Sequence, residues 1–249
     1  MASVYLAVAV GAVAAGFVQG LSGFGFSLVA MSIWAWTLEP RLAAVLAVFG
    51  GLTGQVIAAV SVRRGFDART LLPFVAGGLV GIPIGVAVLP LLDVHLFKTV
   101  LGVLLAVWCP IMLLSRHLPA VTFGGRAANG VVGLIGGAMG GIGGFSGVVP
   151  TLWCALRRYE RDMQRSIIQN FNLSMLAVTM AAYLVSGTVT PDMLPMFAVV
   201  APAMLIPAVL GGRLYLGISE TAFRRIVLTL LTLSGLAMLA SALPQLLGG

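Results

Sequence analysis

A chain of 249 residues that is 60% hydrophobic and only 8% charged carries too little charge to cover a water-soluble domain. Its net charge of +7 sits in short gaps between apolar runs, the pattern of membrane-protein loops, and argues against nucleic acid as a partner. Runs of about 17 to 24 residues also exclude the alternating strands of an outer-membrane barrel, leaving an all-α integral membrane protein in contact with lipid.

Residues 4–38 form one apolar stretch of 35 residues. As a straight helix it would run roughly 52 Å, against about 30 Å of hydrocarbon. Split at 20–25, it gives two arms, each short for a full crossing, and a re-entrant helical hairpin fits best. Val13-Ala14-Ala15 would pass as a signal-peptide cleavage site, but no basic residue precedes the run and its glycine break matches one in the second half, so it is read as part of the mature fold. Residues 42–62, 71–92 and 97–115 then span, with Pro83 and Gly85 expected to kink the middle one. The second over-long run, 127–156, is broken at 140–147, and spans at 166–186, 194–216 and 223–243 follow it.

The two broken runs correspond. A shift of 121 positions lays Gly20, Gly23 and Phe24 over Gly141, Gly144 and Phe145. A later shift of 126 lays Leu79, Gly85 and Phe97 over Leu205, Gly211 and Phe223. The chain therefore reads as two repeats, 1–122 and 123–249, each a broken hairpin followed by three transmembrane helices. Five segments per repeat is an odd number, so the repeats are inverted. With both termini outside, twelve of the fourteen Lys and Arg fall on the cytoplasmic side, and only Arg41 and Lys98 fall outside.

Glycine-broken segments at corresponding places in two halves point to a transporter's binding site. A break frees backbone groups that only protein or a wet cavity can satisfy. The helix restarting after it aims N–H groups and a positive dipole end at the break. Glycine lets backbone approach a guest, and the hydroxyls of Ser22, Ser27 and Ser146 would add donors. The candidate substrate-binding residues are Gln19, Ser22, Gly23, Phe24 and Gly25 at the first break. At the second they are Gly143, Gly144, Phe145, Ser146 and Gly147, joined by Asn170 and Asn172 from the next helix. Each has an ordinary alternative: glycines for close helix packing, Phe24 and Phe145 as packing aromatics, the asparagines as interhelical hydrogen bonders. Thr53 and Gln55 lie at similar depth in the first half.

Arg41 and Arg165 are expected to anchor the interface, with attraction of anions to the mouths as the alternative. Cys109 and Cys154 read as small packing residues. His95 and His117 fall in loops. Nothing in this pattern calls for a metal or cofactor, and no nucleophile or ligand cluster suggests an enzyme. All seven acids fall at segment ends, so the expected mechanism is electrogenic release of an anion without a coupling ion.

Gly140-Gly141-Ile142-Gly143-Gly144-Phe145-Ser146-Gly147-Val148-Val149-Pro150-Thr151-Leu152 resembles the signature of the TauE/SafE sulfite exporter family, a glycine cluster followed by an apolar residue, proline and leucine. The first half departs from it, with Ala30 and Met31 where a proline would stand. The resemblance implies a multi-pass protein of the bacterial cytoplasmic (inner) membrane that exports a small anion. Sulfite, an organosulfonate or a related oxyanion would qualify. An anion channel, or a carrier for another small organic anion, stays open, as does a monomer or a homodimer.

Overall fold

The computed structural model describes residues 2–23, 25–61, 67–115, 118–213 and 220–247. Among them there are helices and turns and no strand. The long elements are α1 (Ala2–Ser22), α3 (Pro40–Ser61), α4 (Ala68–Val88), α5 (Val94–Leu114), α6 (Gly125–Gly143), α8 (Arg161–Val185), α9 (Leu194–Arg213) and α10 (Glu220–Leu247). Two short helices, α2 (Phe26–Trp34) and α7 (Val148–Leu156), follow α1 and α6. Among the described residues, seven helices are long and apolar enough to cross a membrane: α1, α3, α4, α5, α8, α9 and α10. The protein is a multi-pass membrane protein.

Both over-long runs are interrupted, but their arms are unequal. α1 has 21 residues and α2 has 9, about 31 Å against about 14 Å. α1 is thus long enough to cross, contrary to the expectation of two short arms. Each long arm ends on a glycine in the left-handed region, Gly23 at φ +75° and Gly144 at φ +77°. Each of these donates its N–H to the carbonyl four residues back, Gln19 O and Gly140 O, at 2.7 Å. Only glycine takes that conformation without strain, so it stops the helix and turns the chain.

The short arms fold back on the long ones, and a tryptophan near the far end of each fastens it. Trp34 Nε1 donates to Ala7 O at 3.1 Å, near the start of α1. Trp153 Nε1 donates to Asn129 Oδ1 at 2.7 Å, near the start of α6. An indole N–H in an apolar interior must find an acceptor, and here that acceptor sets how the hairpin closes. Trp153→Phe leaves the buried Asn129 carboxamide without this donor. It should cost about 1–3 kcal/mol, read as a lowered Tm in detergent, while Trp153→Tyr should not restore the bond.

The remaining glycines mostly serve packing. α6 lies on α4 and α1 on α9, so each long arm packs on a helix distant in sequence, while α5 pairs with α10. A Cβ on Gly133, Gly137 or Gly141 would run into Phe74, Gly78 or Ile82 of α4, and one on Gly77, Gly81 or Gly85 into α6 backbone. On the other side, a Cβ on Gly16 would sit 2.6 Å from Met204 O, one on Gly20 would strike Ala208, and one on Gly211 would sit 2.6 Å from Phe17 O. Backbone-to-backbone approach through small residues is how helices gain contact where lipid removes the hydrophobic drive. Gly20 and Gly141 belong to these seams rather than to the breaks. Pro73 and Pro83 lie inside the continuous helix α4.

α3 runs through the middle, with Ala43 to Val48 fully buried, and packs on α8. The acids sit at helix ends: Asp67 and Asp93 cap α4 and α5, Glu160 precedes α8 and Asp162 lies in its first turn. The Thr70 hydroxyl, helped by the Thr70 and Arg69 amides, holds the Asp67 carboxyl below the usual carboxylate range. A depressed value means the cap persists as pH falls, until the pH passes through that lowered value. Arg41 donates from Nε to Thr188 O at 2.8 Å and from Nη2 to Gly187 O, so it anchors the loop after α8.

Candidate functional site

The two breaks line one cavity of about 150 Å³. Ser22, Gly25 and Phe26 come from the first, and Gly144, Phe145, Ser146 and Gly147 from the second. They lie close together: a Cβ on Gly144 would sit 2.6 Å from Ser27 Oγ. α3 supplies Gly51 and Gln55, α8 supplies Asn172 and Leu176, and α5 and α10 close the far wall.

Side-chain amides hold the breaks open. Gln55 Nε2 donates to Gly23 O at 3.0 Å, and Gln19 Nε2 to Gly51 O at 3.3 Å. At the second break Ser146 Oγ donates to Asn172 Oδ1 at 2.9 Å, and Tyr183 OH donates to Gly141 O at 2.7 Å. Carbonyls left at the interrupted helix ends, those of Gly23 and Gly141, are satisfied here by neighbouring helices.

The serine hydroxyls expected to add donors are already engaged. All three serine hydroxyls donate to protein, Ser22 to Val18 O at 2.7 Å, Ser27 to Ala47 O at 3.4 Å and Ser146 to Asn172. Donors come instead from three other sources. The first-turn N–H groups of α2, on Phe26, Ser27 and Leu28, lack intrahelical partners by geometry, and all three residues line the cavity. Asn172, its Oδ1 engaged as acceptor, has its two Nδ2 hydrogens to offer. Arg224 lines the cavity with a half-buried guanidinium, and its Nη2 reaches Met112 O at 3.5 Å. The start of α7 is poorer: Val148 N–H is bound to Phe145 O at 3.1 Å, and Pro150 has no N–H.

Of the residues singled out from sequence, Gln19, Ser22, Gly25, Gly144, Phe145, Ser146, Gly147 and Asn172 line the cavity. Gly23 shapes the break but stands behind it, and Gly143 ends α6, where a Cβ would sit 2.7 Å from the Phe145 ring. Asn170 points elsewhere, donating to Ser166 O of its own helix at 2.9 Å. Two residues along a helix is about 200° of rotation, so Asn170 and Asn172 cannot share a face. Phe24 and His117 lie outside the described residues. Thr53 donates back to Phe49 O at 2.8 Å, whereas Gln55 is in the wall.

Arg224, counted from sequence only toward the cytoplasmic charge, was not expected at the site, nor was the apolar wall of Trp108, Met112, Phe223, Leu228 and Leu231. The available signal was spacing. Arg224, Val227, Leu228 and Leu231 fall at i, i+3, i+4 and i+7, one face of a helix. Gln19, only 4% exposed, also keeps its Oε1 without a hydrogen-bond partner among the described residues. A bound water, or a donor on the guest, would satisfy that acceptor.

Comparison with known proteins adds one result. The family model described as "Sulfite exporter TauE/SafE" matches residues 8–238, almost the whole chain and both broken hairpins. No curated protein and no solved structure matches. With ten α-helices among the described residues, two glycine breaks at one cavity and a match over that length, the chain belongs to the sulfite exporter TauE/SafE family of membrane transporters.

Proposed function

We propose that this protein exports a small sulfur-containing anion, bound between the two breaks near the bilayer midplane. The observation that carries the reading is the convergence of both breaks on one cavity. Helix-terminal amides, Asn172 and Arg224 form a donor-rich surface there, the chemistry an oxyanion requires. The two inverted repeats, 1–122 and 123–249, would then rock about that point. Support comes from the exchanged pairing of α1 with α9 and α6 with α4, and from Gly85 and Gly211 meeting the opposite long arm at equivalent places.

Orientation follows from charge. With both termini outside the cytoplasmic membrane, Arg224 and Arg225 stand at the cytoplasmic end of α10, so a guest loads from inside. No carboxylate lines the cavity among the described residues. An inside-negative potential favours anion exit by about 2.3 kcal/mol per charge per 100 mV, and release driven by potential alone suffices.

The test uses proteoliposomes loaded with sulfite. Efflux should rise with an imposed inside-negative potential, at equal pH and without a sodium gradient. A requirement for either gradient at zero potential would end the uncoupled mechanism. Asn172→Asp keeps the acceptor for Ser146 but replaces two donors with a carboxylate, and should raise the KM for efflux at least about tenfold. Leu230→Ala, 60% exposed on the outer face of α10, should change nothing. Saturation with counterflow identifies a carrier, and its absence a channel. Equal effects at Asn172 and Leu230 would remove the breaks from the transport site.

A further inference from the structure

Resting on the transport reading above, we propose that the preferred guest is an amphiphilic organic monoanion. It has one acidic head group and a short apolar tail, and binds ahead of a bare inorganic oxyanion such as sulfite.

The two sides of the cavity differ: the break side presents the α2 amides, Gln55 and Asn172 among apolar residues such as Phe26 and Phe145, whereas beyond Arg224 α5 and α10 present Trp108, Met112, Leu228 and Leu231. These two helices run antiparallel. A Cβ on Gly102 would sit 3.0 Å from Gly235 O, while eleven residues earlier on α10 Arg224 reaches Met112 O. Trp108, one turn before Met112, therefore lies level with Leu228, one turn after Arg224. The wall places a guanidinium at one end and is apolar over the next two turns, about 10 Å.

Beyond the Arg224 end of this wall, a bare oxyanion would surrender hydration against indole and leucine with no hydrogen bond returned there. A tail of a few carbons reverses the balance, because burying it is favourable while the head keeps its donors. The size agrees. A void of about 150 Å³ holds a group about the size of benzene, more than the volume of a three-oxygen anion.

Calorimetric titration of the full-length protein in detergent tests this with the sodium salts of methane-, propane-, butane- and octanesulfonate and of sulfite, at one ionic strength. Kd should fall about fourfold per methylene, equivalent to about 0.8 kcal/mol. The gain should stop at about four carbons, where the volume is filled, with octanesulfonate weaker than butanesulfonate. Sulfite should bind more weakly than butanesulfonate, and butylammonium, with the same tail and a cationic head, should not bind. Leu231→Ser should flatten the series, weakening butanesulfonate more than methanesulfonate. A Kd independent of chain length, or sulfite tighter than butanesulfonate, overturns the amphiphile and leaves anion transport standing. Failure of every anion to bind overturns both.

Discussion

Gly137→Leu should leave almost no folded protein, the largest effect of any single substitution considered. Gly137 faces Gly78 across the α4–α6 seam, and a Cβ there would enter the space of the Gly78 carbonyl, with Gly78 Cα 2.7 Å away. Both neighbours are backbone within long helices, so no side chain can rotate to make room. Overpacking in a core that can adjust costs typically 1–3 kcal/mol, and a seam of two rigid backbones should exceed about 3 kcal/mol on the same grounds. The displaced helices would also lose the contacts of Gly133, Gly141, Gly81 and Gly85, which interlock along the same seam. Expression as monodisperse protein in detergent, followed by thermal unfolding, reads the result. Gly125→Leu is the control: it lies at the exposed start of α6, and nothing lies within 4 Å of a Cβ there, though its φ of +50° carries a small strain. Comparable yields for the two would mean that α4 and α6 are held together by something other than close backbone approach.

The same seam explains which glycines could be interpreted from sequence. The spans were legible because apolar length converts directly to bilayer thickness, and both breaks were legible because two runs were too long for one crossing. Gly20 and Gly23 look alike in a sequence shifted by 121 positions, yet Gly20 packs on Ala208 while Gly23 turns left-handed and stops α1. The difference lies in the partner helix, α9, which no local pattern names. Asn170 and Asn172 were separable in principle. The buried positions of α8 include Ile168, Asn172, Met175, Thr179 and Tyr183, a helical series that leaves out 170. Where the serine hydroxyls point was not legible, because a hydroxyl inside a bilayer bonds a nearby acceptor that the sequence does not name. Here those acceptors are Val18 O, Ala47 O and the Asn172 carboxamide.

Arg224→Gln should weaken anion binding about 10- to 100-fold with little loss of stability, and this separates an anion site from a polar packing void. A hydrogen bond to a charged group contributes about 1.5–3 kcal/mol, and the lower part of that range applies because the guanidinium is only half-buried and partly screened. Glutamine is shorter and gives up the reach to Met112 O, but that contact is long at 3.5 Å, so little of the helix pairing should go with it. The close approach of Gly102 and Gly235 holds the same pair independently, two to three turns away. Arg224→Lys keeps the charge but not the forked geometry, and should fall between wild type and Arg224→Gln. A structural role alone would lower Tm in step with affinity, and lysine would not rescue it. An electrostatic role predicts an unchanged Tm and a Kd for butanesulfonate that rises with ionic strength in wild type. That salt dependence should flatten in Arg224→Gln, because the charge being screened is gone.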